Sequence, residues 1–374
     1  MKKVYLDNAA TTAVRPEVVQ EMIKVLAEDY GNPSSTHSFG RSAKVLLETA
    51  RKSIAKQLNA NAQEIIFTSC GTEADNWIIR SAVRDLGVTR IITSKIEHHA
   101  VLYAVAAVQK EYAVAVDYVS ILPNGEIDYT HLSDLLAQDK KTLVSLMHVN
   151  NEIGTVLDLE RTGRICKQYG AYFHSDTVQS VGKTTFDLQT LPVDFIVGSA
   201  HKFHGPKGAG FAFIRKNTGI QPLFFGGEQE KGLRAGTEAV HQIAGMAKAL
   251  ELSYANLEAE QQHITDLKNY LIAALKEAFP ETGINGSEKG FYNIVNVLLP
   301  FSDDKTAMIL FNLDMKGIAV SRGSACQSGS IKPSHVLAEI LSDEAIKKPS
   351  LRISLGHDNT KEDIDLFVEA LKAV

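Results

Sequence analysis

Short apolar runs and amphipathic stretches alternate through the first two thirds of the chain. "PEVVQEMIKVLAEDY", with Pro16 in its first turn, and "GRSAKVLLETARKSIAKQL" have helical periodicity. "EIIFTS" reads as a buried strand and "TEADNWIIRSAVRDLG" as the helix after it. "RIITS", "AVDYVSI", "TLVSLMHV", "AYFHSD", "DFIVGS" and "GAGFAFIR" are further strand-like runs, most followed by a helical segment. This alternation predicts an α/β fold with a mainly parallel sheet covered on both faces. A long helical stretch from "GTEAVHQIAGM" to "YLIAALKEAF" then changes the texture. Beyond it come "FYNIVNVLL", a helix near 304–313, "IAVS", "SLRISL" and a terminal helix, the outline of a smaller α+β unit. The expected division is a large domain at 15–256 and a small domain formed by 1–14 and 257–374.

Composition narrows the class. Hydrophobic residues make up 44% and charged residues 22% of 374, as in ordinary globular proteins. A formal net charge of -5 argues against nucleic-acid binding as the main activity. The most apolar stretch, Ala100–Val108, is far short of the roughly 20 residues that span a bilayer, and Asp7 and Asn8 interrupt the N-terminal run before it resembles a signal peptide. Three cysteines, Cys70, Cys166 and Cys326, have neither disulfide nor zinc-site spacing, so no metal is expected. They fit a reducing compartment, and the expected location is cytoplasmic.

In open α/β sheets, ligands bind beyond the carboxyl ends of the strands. "EIIFTS" leads into Gly71 and Thr72 at a helix start, a natural anion site. "RIITS" leads to His98 and His99, and "TLVSLMHV" to Asn150 and Asn151. "AYFHSD" ends at Asp176, with Gln179 one helical turn on, and "DFIVGS" runs into Ser199, His201 and Lys202. Singly these are ordinary: Gly-Thr caps helices, Asp176 could cap the helix after it, and lysines are mostly solvated. "GPKGAG" is not a nucleotide loop, because Lys207 is followed by Gly208 and a strand-like run. Together, a lysine, a carboxylate, an anion cradle and a flat-ring partner meet the requirements of pyridoxal 5'-phosphate. Its aldehyde needs an amine, its ring nitrogen a carboxylate, and its phosphate a helix N-terminus.

The stretches "YLDNAATT", "GNPSSTH", "FTSCGTEADN", "SKIEHHAV", "MHVNNEIG", "HSDTVQSVGK", "GSAHKFHGPKGAG", "RAGTEAVHQIAGM", "SRGSACQSGS" and "LRISLG" resemble those of cysteine desulfurases. These are pyridoxal-phosphate enzymes of fold type I, in the aminotransferase class V group, and the resemblance is to the iron–sulfur-assembly type. It implies that Lys202 bonds the cofactor, Asp176 pairs with the ring nitrogen and Gln179 with the ring hydroxyl. It implies that His98 stacks on the ring and shuttles protons, and that Gly71, Thr72, Ser199 and His201 hold the phosphate. Thr237 would reach the phosphate from the other subunit of a homodimer. Asn151 would contact the cofactor and, with Arg352, the substrate carboxylate. Cys326 would accept sulfur from L-cysteine as a persulfide, leaving L-alanine, and pass it to acceptor proteins for iron–sulfur clusters, thiolated transfer RNA or a cofactor.

The loop "SRGSACQSGS" suits that task, since a chain of small residues can carry sulfur from a buried site to an outside protein. Arg322 replaces the usual small residue and puts a positive charge four residues before Cys326, either favouring the thiolate or simply solvated. Cys70 and Cys166 read as buried fillers. Competing readings are a selenocysteine lyase or class V aminotransferase on the same fold, and, more distantly, a non-catalytic sulfur carrier. The intact Lys202, Asp176 and Arg352 speak against the last.

Overall fold

The computed structural model describes residues 2–323 and 334–373; Cys326 lies outside them. In chain order the elements are β1 (Val4–Tyr5), α1 (Pro16–Glu28), α2 (Ser38–Gln57), β2 (Ile65–Thr68), α3 (Gly71–Arg84), β3 (Arg90–Thr93) and α4 (His99–Tyr112). Next are β4 (Ala115–Tyr118), α5 (Tyr129–Leu136), β5 (Thr142–Ser145), α6 (Leu159–Gln168), β6 (Tyr172–Asp176), β7 (Phe195–Ser199) and β8 (Gly210–Ile214). The rest are α7 (Val240–Ala255), α8 (Leu257–Ala278), β9 (Gly283–Asn285), β10 (Ile294–Leu298), α9 (Ile309–Met315), β11 (Ile318–Ala319), α10 (His335–Ile340), β12 (Ser350–Ser354) and α11 (Lys361–Lys372).

Seven strands form the main sheet in the order β2-β8-β7-β6-β5-β3-β4. The pairs among β3 to β7 are parallel, and β8 runs antiparallel between β7 and β2. Two antiparallel pairings restore direction, so β2 points the same way as β7. The carboxyl ends of β2, β3, β5, β6 and β7 therefore share one edge. The two-residue period of the strands sorts side chains to opposite faces. Ile65, Phe67, Ile92, Val144, Phe173 and Ile196 enter one core. Ile66, Ile91, Leu143, Phe195 and Val197 enter the other, beneath α3 and α4. Burial on both faces explains why these strands read as unbroken apolar runs.

A second sheet, β12-β10-β9, is antiparallel. It packs with α8 and α11 around Leu267, Leu271, Val297, Ile353 and Phe367, and Val4 and Leu6 belong to this same cluster. β1 pairs in parallel with β11, so the N-terminal segment starts here and then passes to the edge of the main sheet. No helix among the described residues is long and apolar enough to cross a membrane.

Two predicted elements differ. The long helical stretch breaks at Asn256, whose side-chain amide donates to the Leu252 carbonyl and competes with the helix ladder. The break falls where the chain leaves the core holding Leu250 for the one holding Ile264. The segment after Asp176 is a series of turns, not a helix. Gly182 there has φ +76, and a Cβ on it would lie 2.7 Å from the Phe203 Cβ.

Candidate active site

At the shared edge of the strands lies a cavity of about 210 Å³. Gly71, Thr72, His98, Asn151, Asp176, Gln179, Ser199, His201, Lys202 and Arg352 all line it. Sequence separations of up to 281 residues are thus brought to one place by the ends of β2, β3, β5, β6, β7 and by β12.

Lys202 closes a 3₁₀ turn, Ala200–Lys202, that directly follows β7. Its Nζ donates to the carbonyls of Ala9 (2.6 Å) and Ala10 (2.8 Å) in the N-terminal segment. Gln179 Nε2 donates to the same Ala9 carbonyl at 2.9 Å, while its buried Oε1 has no hydrogen-bond partner. The Asp176 carboxylate accepts from the Val178 N–H at 2.9 Å. Burial raises its pKa above the usual carboxylate range, opposed by His98, that N–H and Lys202. His98 caps α4, its Nδ1 accepting from the Ala100 N–H at 3.1 Å. Burial lowers its pKa against the pull of Asp176, so the ring is neutral near pH 7.

At the opposite end, α3 presents its N-terminal turn to the cavity through Gly71 and Thr72. A Cβ on Gly71 would stand 2.6 Å from Val178 Cγ2, so only glycine lets the helix start this close to the turn after β6. Ser199 Oγ is buried here without a partner. His201 Nδ1 lies 3.2 Å from Thr11 Oγ1. Burial, helped by Lys202, Lys207 and Lys183, lowers the His201 pKa to about 4, leaving it neutral.

Arg352, on β12, is 1% exposed. Its Nη1 donates to the Asn151 carbonyl at 3.0 Å and its Nη2 to Asp7 Oδ1 at 2.8 Å. Asn151 is thus beside Arg352 through its backbone carbonyl.

Thr237 does not line this cavity; it borders another, of about 220 Å³, with Arg234 and Gly236. Cys70 is not the buried filler expected. It is half-buried, caps α3 in extended conformation and lines the cavity, because the chain must turn sharply from β2 into α3 there. Cys166 is buried in the core. Arg322 is not simply solvated: its Nη1 donates to the Thr306 carbonyl at 2.8 Å.

Sequence reasoning overlooked Asp7 and Asp75. Asp75 lines the cavity 3.3 Å from His174 Nε2 and, fully buried, has its pKa raised well above the ordinary value. Its spacing of four from Gly71 on α3 was the available signal, since i and i+4 share a helix face.

The fold and the convergence of lysine, aspartate and arginine define a class that comparison with known proteins identifies. The chain belongs to the aminotransferase class-V family, whose profile matches residues 4–367. Within it, the chain is 41% identical to the cysteine desulfurase IscS of Dictyoglomus turgidum, over all of this chain and 94% of that protein. It is 42% identical to the enzyme of the same name from Methanosarcina thermophila, over all of this chain and 92% of that one. It therefore falls in the cysteine desulfurase branch. A solved NifS-like protein superposes with TM-score 0.91 at 37% identity, covering 100% and 99% of the two chains. A structure described as SspA in complex with cysteine gives 0.82 at 30% identity, covering 96% and 100%.

Proposed function

We propose that this chain is a pyridoxal-phosphate-dependent cysteine desulfurase: L-cysteine and the Cys326 thiol give L-alanine and a Cys326 persulfide. The substrate C–S bond breaks, a sulfur–sulfur bond forms at Cys326, and the thiol proton and the electron pair of the broken bond end on the alanine carbon. The observation that carries this reading is the meeting of Lys202, Asp176 and Arg352 in one cavity.

The residues fit the cofactor. Ser199 Oγ and Gln179 Oε1 are buried polar atoms without protein partners, in a site where such atoms call for a ligand. Ser199, His201, Gly71 and Thr72 would hold the phosphate, Lys202 the aldehyde, Asp176 the ring nitrogen, and Gln179 the ring hydroxyl, with His98 and Asn151 alongside. When bound, the cofactor supplies an electron sink for the substrate's α-carbon.

The chain's own groups do the rest. Arg352 holds the substrate carboxylate in the two-pronged fit of a guanidinium. Lys202 Nζ takes and returns the α-proton. His98, neutral through burial, moves protons at its Nε2, because its Nδ1 is engaged by the Ala100 N–H.

The separate placement of Thr237 supports a homodimer in which this residue serves the partner's site. The unpaired Cys70 and Cys166 agree with a cytoplasmic setting. Sulfur then passes to acceptor proteins. Purified protein given pyridoxal phosphate, L-cysteine and a thiol reductant should release alanine and sulfide in equal amounts, and Lys202→Ala should release neither. Absence of alanine from the wild type contradicts the reading.

A further inference from the structure

Two buried carboxyl groups, Asp75 and Asp176, line the same cavity from different elements. On β6, His174 and Asp176 are two residues apart, so their side chains leave the same face of the strand. Tyr172, two residues earlier, packs against the core beneath α3 and α4, so that face is the one α3 covers. Asp75, on α3, reaches across to it: its Oδ1 lies 3.3 Å from His174 Nε2. Asp75 is 1% exposed and His174 0%.

Among the described residues, neither Asp75 Oδ1 nor His174 Nε2 has another hydrogen-bond partner. The other ring nitrogen, His174 Nδ1, lies 2.9 Å from Ser145 Oγ. A carboxylate oxygen and an imidazole lone pair both accept, so a proton must lie between them. Either the ring carries it and Asp75 is an anion, or Asp75 carries it and the pair is neutral.

The surroundings decide between the two. Besides burial, Asp176, Glu97 and the Cys70 thiol act on Asp75, and each disfavours its charge. Asp176 is placed differently: it accepts from the Val178 N–H at 2.9 Å, and His98 and Lys202 favour its charge. Two carboxyl groups in one buried site do not both ionise cheaply, and unequal surroundings settle which of them keeps its proton. Burial lowers the His174 pKa to about 3, so the ring takes no second proton.

We propose that Asp75 is a positioning residue of the cofactor site: its carboxyl keeps a proton and donates a hydrogen bond to His174 Nε2, so that Asp176 is the anion left for the ring nitrogen. His174 then holds its own proton on Nδ1 and donates to Ser145 Oγ, which fixes the imidazole against β5. This rests on the reading of the cavity as a pyridoxal-phosphate site.

The test reads the proton and the charge separately in the full-length holoenzyme. Nitrogen-15 NMR of histidine-labelled protein reports the His174 tautomer, its signals identified by their loss in His174→Gln. Expected at pH 7 is the Nδ1–H form, with Nε2 accepting. The absorbance of the bound cofactor is then titrated with pH. Asp75→Asn, whose amide can donate in the same place, should leave the midpoint within about 0.3 unit, because one neutral group replaces another; removing an anion here would lower it by roughly one unit or more. Asp75→Leu, which has no donor, leaves a buried acceptor unpaired beside Asp176 and should lose cofactor on gel filtration roughly five- to a hundredfold faster, with Asp75→Asn restoring retention. The Nε2–H tautomer in the wild type overturns the proposal, as does a midpoint lowered by a unit in Asp75→Asn or wild-type retention in Asp75→Leu. Should Asp75→Leu fail to fold, the tautomer and the midpoint decide. Wild-type protein that takes up no pyridoxal phosphate refutes the cofactor reading and this inference with it, whereas bound cofactor with the Nε2–H tautomer refutes this inference alone.

Discussion

Asp7 and Arg352, 345 residues apart in the chain, form an ion pair of 2.8 Å at the rim of the candidate active site. The guanidinium is 1% exposed, and Asp7 balances its charge while leaving it at the cavity wall. A lysine would keep the charge and lose the planar fork. Arg352→Lys should raise the cysteine concentration giving half-maximal alanine formation by roughly ten- to a hundredfold, the scale of a charge-assisted hydrogen bond of about 1.5–3 kcal/mol. An unchanged half-saturation value would remove Arg352 from the substrate carboxylate.

Gly71 allows the N-terminal turn of α3 to approach the turn after β6. Because a Cβ would press on Val178 Cγ2, Gly71→Ala should push the helix start away and weaken cofactor retention. Overpacking of this kind costs about 1–3 kcal/mol, or roughly five- to a hundredfold in affinity. Gly71→Ala with Val178→Ala should recover most of it. Cofactor absorbance retained after gel filtration is the readout; full retention by the single variant would count against a steric role.

Much of this was legible in the chain. Strands buried on both faces are apolar at successive positions, so β2, β3 and β7 stand out, and the residues just beyond them are among those that meet in the cavity. Asp7 and Arg352 were not legible as a pair. Their meeting depends on β1 beside β11 and a bridge between Asp7 and Ser354, pairings that leave no local pattern. The turns after Asp176 escaped notice because their cause, the closeness of Gly182 to Phe203, lies 21 residues further along. Cys70 was misjudged because its burial depends on the angle at which β2 enters α3, which residue type does not encode.

Glu97 gives stability a pH dependence. Fully buried, it accepts from Ser94 Oγ at 2.6 Å and from the Met147 N–H at 2.9 Å, yet burial raises its pKa from 4.5 to about 8. The folded form thus binds a proton that the unfolded chain releases above pH 4.5. This contribution is complete below pH 4.5 and is lost as pH rises toward 8. Glu97→Gln, neutral at every pH, should flatten the decline in stability between pH 5 and pH 8 in urea melts. The same decline in both proteins would show that Glu97 is not its source.

Arg51 and Glu230 form a fully buried two-pronged pair, 2.6 and 2.7 Å, and Glu230 Oε2 also accepts from the Phe67 N–H at 2.8 Å. The pair ties β2 to the segment leading to Arg234 and Thr237, where Glu230 and Lys231 adopt positive φ. Removing Glu230 leaves the buried Arg51 guanidinium with only the more exposed Glu48, 3.1 Å from its Nε, as a charged partner among the described residues. Glu230→Ala should cost about 3–5 kcal/mol of unfolding free energy. A loss under about 1 kcal/mol would place the pair among weakly contributing surface bridges.

Sulfur transfer to Cys326 is tested most directly by following one protein sulfur. Wild-type protein and Cys326→Ser, each loaded with pyridoxal phosphate, are mixed with L-cysteine labelled in its sulfur and analysed by mass spectrometry before any reductant is added. The wild type should carry one additional labelled sulfur on the peptide containing Cys326 and release alanine. Cys326→Ser should still show the absorbance change on binding cysteine but carry no label, because a serine hydroxyl is a far poorer attacker on sulfur than a thiolate. Label on Cys70 or Cys166, or wild-type alanine release from Cys326→Ser, would contradict Cys326 as the acceptor.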